Sequence, residues 1–235
     1  MIIVNNNVDI WNKTWAKFDE VEIDQMNRII FENISKQVSF EGKSVLELGC
    51  GRGILSYLAY KSGAREITLV DFSDKALNYA ENLFDGIEGI SFIKADILNL
   101  DLNRTYDIVL SSGVVEHFKA DQIIECIRSH IRHSNDLIVI VVPSNTYFNY
   151  RRSKSPENRK LYGWWKPISK SEMERHFKLL NVSIRYNRRF YTMYAVSFPN
   201  FRGVGRLKNI LDVITTPIDA LYGGLLLTIG EVKRK

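Results

Sequence analysis

Val45-Leu46-Glu47-Leu48-Gly49-Cys50-Gly51-Arg52-Gly53 is a strand-length apolar run that passes into glycines at alternate positions and then into a helical pattern over 53–62. Glycines so spaced let backbone approach a bound group closely and take angles closed to other residues. A dinucleotide site wants G-x-G-x-x-G, so that a pyrophosphate can rest on the helix end, yet the position three after Gly51 is Ile54. The turn suits a nucleoside without a pyrophosphate.

Working outward, short apolar runs recur at 44–48, 66–70, 90–94, 107–111 and 136–142. They are β-branched, continuous and of strand length, as strands buried on both faces should be. Between them 53–62, 73–84 and 119–132 carry helical spacing, for example Ile123, Ile124, Ile127 and Ile131. Strands alternating with helices predict an α/β fold with a parallel, doubly wound, Rossmann-like sheet. The alternating stretches NVSIRYNRRF and YTMYAVSF predict an antiparallel pair that completes seven strands.

Acidic residues fall at the carboxyl ends of the first three runs, where an open α/β sheet binds its ligand. Glu47 precedes the glycine turn, Asp71 ends the second run and Asp96 follows the third. An acid after the second strand can accept both hydroxyls of a ribose, and one after the third can accept an adenine amino group. Phe72 can lie against the face of a base.

With these residues in place the chain resembles a class I S-adenosylmethionine-dependent methyltransferase of the broad small-molecule, type 11-like group. The resemblance covers about residues 40–143. Glu47 to Gly53 is similar to the family's E/D-x-G-x-G-x-G turn, Asp71 to its ribose-binding acid and Asp96-Ile97 to its adenine-contacting pair. Tyr106 to Phe118 is similar to the segment whose loop closes over the cofactor and meets the substrate. The resemblance implies S-adenosylmethionine as cofactor, held by Glu47, Gly49, Cys50, Gly51, Gly53, Asp71, Phe72, Asp96, Ile97 and Ser112. Glu116 and His117 follow the fourth strand, where methyl donor and acceptor should meet. His117 is the better candidate for a general base, because histidine titrates near neutrality; ordering of the loop is the alternative. Cys50 reads as a small filler, and the histidines have no metal-ligand spacing, so no metal is expected.

The composition, 45% hydrophobic and 25% charged over 235 residues, is that of a globular chain able to bury a large core. A single domain is expected, with a helical cover over 1–40, a cofactor-binding core over 41–143, a substrate-side segment over 144–205 and an amphipathic helix over 206–235. Two cysteines, Cys50 and Cys126, and an N-terminal stretch without a signal-peptide pattern point to the cytoplasm. The net charge of +5 conceals an asymmetry: residues 1–145 hold 14 Lys+Arg against 21 Asp+Glu, and 146–235 hold 18 against 6. In the basic part 145–168 reads as a substrate loop or lid, and Ser169 with Glu172 marks the start of a helix at 169–178. Trp15, Tyr150, Trp164 and Trp165 are candidates to shape an acceptor pocket.

The interleaved aromatics and cations of 147–166 suit a sugar- or lipid-linked phosphate; nucleic acid is the lesser alternative, because Ser111-Ser112-Gly113-Val114 after the fourth strand is not the Asn/Asp-Pro-Pro-aromatic motif of nucleobase methylation. The 206–230 stripe can pack on the domain, across a homodimer, or on an anionic membrane at the inner face. The reading is a methyltransferase acting on an oxygen or nitrogen of a small, lipid-linked or sugar-linked acceptor. Its alternatives are an RNA methyltransferase and a non-catalytic cofactor-binding subunit.

Overall fold

A computed structural model describes residues 4–17, 23–191 and 223–233. Five runs form parallel strands: β1 (Ser44–Leu48), β2 (Glu66–Asp71), β3 (Ile90–Lys94), β4 (Tyr106–Ser112) and β5 (Ser134–Pro143). With β6 (Ser183–Phe190) and β7 (Leu225–Glu231) they make one sheet of order β3-β2-β1-β4-β5-β7-β6. β1 is central among the parallel strands and pairs with both β2 and β4. All five of its residues are buried, which is why its sequence is continuous rather than alternating.

The helices cover the faces of this sheet. α1 (Val4–Trp15) and α2 (Gln25–Ser35) precede it, and α3 (Ile54–Lys61), α4 (Asp74–Leu83) and α5 (Ala120–His133) are the crossovers. α5 buries Ile123, Cys126 and Ile127 against the sheet, as its spacing requires. The 145–168 segment contains two short helices, α6 (Tyr147–Lys154) and α7 (Pro156–Tyr162), in place of the irregular loop that its composition suggests. α8 (Lys170–Leu179) starts from Ser169, whose Oγ accepts from the Glu172 backbone N–H at 3.1 Å. Glu172 spends its own carboxylate on Lys166.

The C-terminal helix expected over 206–235 needs correction. Leu225–Glu231 is a strand lying antiparallel between β5 and β6. A run such as Leu225-Leu226-Leu227, buried on both faces, carries no alternation and so matches helix and strand equally. Gly230 sits in this strand because α8 lies close above it: a Cβ there would come within 2.4 Å of Val182 Cγ1 and 2.6 Å of Phe177 Cε2. The antiparallel pair is thus β6 with β7, while YTMYAVSF beyond Tyr191, and 206–222, lie outside the described residues.

Candidate active site

A cavity of about 1180 Å³ opens at the carboxyl ends of β1 to β4. Its floor is the glycine turn. Gly49 (φ +70°) and Gly51 (φ +51°) take left-handed angles that disfavour any side chain, and the turn hangs on β2, with the N–H groups of Gly49 and Cys50 both donating to Val70 O at 2.8 and 3.0 Å. A Cβ on Gly49 would meet Val114 at 2.6 Å, and one on Gly51 would meet the ring of Trp15 at 2.9 Å. Gly53 (φ +73°) has a different task. It is the N-cap of α3 and faces Leu69 and Ala80, so it serves helix packing and is absent from the cavity wall.

The acids divide in the same way between structure and access. Asp71 is buried; its Oδ2 accepts from Gly51 N–H and its Oδ1 from Ser73 N–H, both at 2.9 Å. Desolvation raises its pKa, and these backbone donors oppose the rise. Each oxygen retains a lone pair for a further donor. Glu47 accepts from the Ser56 N–H and hydroxyl at 3.1 and 2.5 Å, and burial pushes it up to about 8. Asp96 caps a short 3₁₀ turn through Leu98 N–H at 3.0 Å, while Ile97, Phe72 and Ser112 complete this side of the wall. The Cys50 thiol also lines the cavity, and burial pushes its pKa well up, so it remains protonated.

The opposite wall is aromatic. Trp11 and Trp15, one turn apart on α1, stack at 5.7 Å; the Trp11 ring meets His117 edge-on at 5.1 Å and Tyr162 at 6.2 Å. Ser73, the N-cap of α4, donates to Asn12 Oδ1 at 2.6 Å and so holds α1 to the start of α4, and Thr14 donates to Leu161 O of α7. Trp164 and Trp165 reach the same wall, whereas Tyr150 is 55% exposed and lies off it. Trp15, Trp164 and Trp165 are therefore assembled with the glycine turn, and Tyr150 is not. Sequence reasoning misses Trp11 and Tyr162: the Trp11–Trp15 spacing signals a shared helix face, but nothing in the sequence says that this face turns toward β4.

Between floor and wall stand Glu116 and His117. Glu116 is 2% exposed, its Oε2 has no hydrogen-bond partner among the described residues, and burial pushes its pKa up to about 8. His117 is held by the Trp164 carbonyl at 3.2 Å from Nδ1, with Nε2 4.0 Å from Glu116 Oε1. Desolvation lowers His117 to about 4, outweighing the carbonyls of Trp164 and Tyr162. At neutral pH the two side chains are thus a protonated acid and a neutral imidazole. A second orphan among the described residues, Trp165 Nε1, is buried in the same wall. Unpaired buried polar atoms of this kind are costly and fit a site that is completed by a ligand. Among the described residues no group of three or more His, Cys, Asp or Glu is arranged to hold a metal ion.

Comparison with known proteins agrees with this geometry. Residues 45–135 match the family model described as a methyltransferase domain. A probable (S)-tetrahydroprotoberberine N-methyltransferase 2 of Papaver bracteatum is 36% identical over 88 residues, 35% of this chain and 24% of that one. A ubiquinone biosynthesis O-methyltransferase of Nitrosospira multiformis is 32% identical over 96 residues, 40% of each chain. The chain therefore spans well under half the length of these two relatives. Among solved structures, the N-methyltransferase NodS of Bradyrhizobium japonicum, in complex with S-adenosyl-L-homocysteine, superposes with a TM-score of 0.67 at 13% identity, covering 97% of this chain and 100% of its own. The chain thus has the fold of the class I S-adenosylmethionine-dependent methyltransferases, and its residues 45–135 match the methyltransferase-domain model.

Proposed function

We propose that this protein binds S-adenosylmethionine in the cavity and transfers its methyl group to an oxygen or nitrogen of a small-molecule, lipid-linked or sugar-linked acceptor. One observation carries the reading: the glycine turn, Asp71 and Asp96 share a single cavity with a buried Glu116 whose Oε2 has no hydrogen-bond partner among the described residues. The residues fit the cofactor. Asp71 keeps acceptor capacity for ribose hydroxyls, Asp96 for an adenine amino group, and Gly49 and Gly51 leave the backbone open to close approach. Phe72, Ile97 and Ser112 flank that position, and Glu47 shapes it from beneath through Ser56.

When bound, S-adenosylmethionine supplies a methyl group already activated on a sulfonium, so positioning accounts for much of the rate. Trp11, Trp15, Trp164 and Trp165 exclude water and orient the acceptor. Glu116, in its carboxylate form, takes the proton that the acceptor loses as the new bond to carbon forms. Its raised pKa suits this task better than that of His117, which is too weakly basic at about 4 and instead orients the loop through the Trp164 carbonyl. The emphasis thus moves from His117, favoured on sequence grounds, to its neighbour.

The test is incubation with methyl-labelled S-adenosylmethionine and cell extract fractionated into small-molecule, lipid, glycan and RNA pools. Label in one of the first three is expected. Label confined to RNA would favour a nucleic-acid enzyme that uses the basic half, and no label in any pool, with the cofactor bound, would leave a binding subunit.

A further inference from the structure

α6 is built inside out. Its buried residues are Asn149 and Ser153, one turn apart, and Asn149 Nδ2 donates to the carbonyls of Ser144 and Gly224 at 2.9 and 2.7 Å. Its exposed residues include three aromatics, with Tyr147 68%, Tyr150 55% and Phe148 41% accessible. A helix that only covers a core does the reverse. The exposed rings lie beside cations: the Arg151 guanidinium stands 5.9 Å from the Tyr147 ring, and Lys154 Nζ is 5.4 Å from that of Tyr150. Over 147–162, which spans α6 and α7, there are five basic residues and one acid, Glu157.

Tyrosine, phenylalanine, lysine and arginine on one short surface helix are the composition of a membrane interface. Amphipathic rings settle at headgroup depth, and the cations meet anionic lipid. The location agrees, because Arg152 of α6, Asn158 and Tyr162 of α7 and the adjoining Trp164 also line the cavity. Among the described residues no helix is long and apolar enough to cross a bilayer, so contact would be peripheral. We propose that the consecutive helices α6 and α7 dock on an anionic lipid surface and bring the cavity mouth to it, so that an amphiphilic molecule can pass from the bilayer into the cavity. The surface assigned is α6; the 206–222 part of the C-terminal stripe, for which the sequence left domain packing, a dimer or a membrane open, lies outside the described residues.

The experiment is flotation of the full chain with phosphatidylcholine vesicles, with and without about 30 mol% phosphatidylglycerol as the anionic lipid, at low and high salt. Binding is expected on the anionic vesicles alone, weakening with salt. Arg151→Ala/Lys154→Ala should lower affinity about thirtyfold, at about fivefold for each cation. Tyr147→Ser/Phe148→Ser/Tyr150→Ser, which removes only exposed rings, should lower it at least about tenfold with an unchanged thermal melt. Failure to float on anionic vesicles, equal flotation on neutral ones, or aromatic and charge variants that bind like the wild type would each overturn the proposal. So would gel retention of tRNA that is lost in the same variants while vesicle binding persists, or a dimer that the aromatic variant dissociates.

Discussion

Glu116→Gln should make the protein more stable and less active, and the gain should grow with pH. The unfolded chain ionises this carboxyl near its ordinary value of 4.5, whereas the folded protein holds the proton to about 8. Between those values the unfolded state binds fewer protons, so stability falls as pH rises through the window and levels off above it. At about 1.36 kcal/mol per pH unit, the ionisation forgone costs under about 1 kcal/mol at pH 5, about 3 kcal/mol at pH 7 and about 4 kcal/mol at pH 8. Glutamine has nearly the same shape and no ionisation to lose. Glu47 also titrates high, but it is present in both proteins and cancels from the comparison. For a chain of this size about 1 kcal/mol corresponds to about 2–4 °C, so the variant should melt within a few degrees of wild type at pH 5 and about 10 °C higher at pH 8. Differential scanning calorimetry from pH 5 to 8 measures this. Parallel melting curves across the range would refute the assignment of a buried carboxyl that keeps its proton to about 8. Joined to a loss of turnover, the stability gain would mark Glu116 as a group kept for chemistry at the expense of the fold.

Other substitutions probe separate parts of the structure. Gly51→Ala should destabilise by about 1–3 kcal/mol, since its Cβ would press on Trp15 at a left-handed φ, and Trp15→Ala should restore part of the loss in a denaturant titration. Gly230→Ala should cost a similar amount by forcing α8 from β7, with partial rescue by Val182→Ala; a Gly230→Ala variant as stable as wild type would contradict the placement of β7. His117→Ala should lower turnover while leaving the pH dependence of kcat between 6 and 9 unchanged, because a group that titrates near 4 contributes no limb there. A limb that vanishes with His117 would return the proton-accepting role to the histidine.

The parallel half of the sheet was legible because each of its strands is an uninterrupted β-branched run ended by a turn or an acid. Ser44–Leu48 and Ile90–Lys94 fall on the residues expected; β2 extends its run by one residue at the end, β4 by one at each end, and β5 by two at the start and one at the end. The glycine turn, Asp71 and Asp96 could be read for the same reason: their positions follow from strand ends alone. What the sequence concealed depends on neighbours far along the chain. Leu225–Glu231 is a strand only because β5 and β6 flank it. The task of Gly53 was hidden because Leu69 and Ala80, which it packs against, are 16 and 27 positions away. α6 was obscured by its polarity, since Asn149 and Ser153 face inward where an apolar stripe would have announced a helix. The pKa values of Glu116 and His117 follow from burial in the folded chain, with Trp11 of α1 and the Trp164 carbonyl against His117, which no local spacing encodes.

The most direct measurement is calorimetric titration of the full chain with S-adenosylmethionine, alongside Asp71→Ala. Saturable binding of one molecule per chain is expected, with affinity reduced at least about tenfold in the variant, which loses the carboxylate that would meet the ribose together with the hydrogen bond that shapes the turn at Gly51. Absence of heat with the wild type, or equal affinity in a folded Asp71→Ala protein, would contradict the cofactor assignment on which the proposed methyl transfer depends.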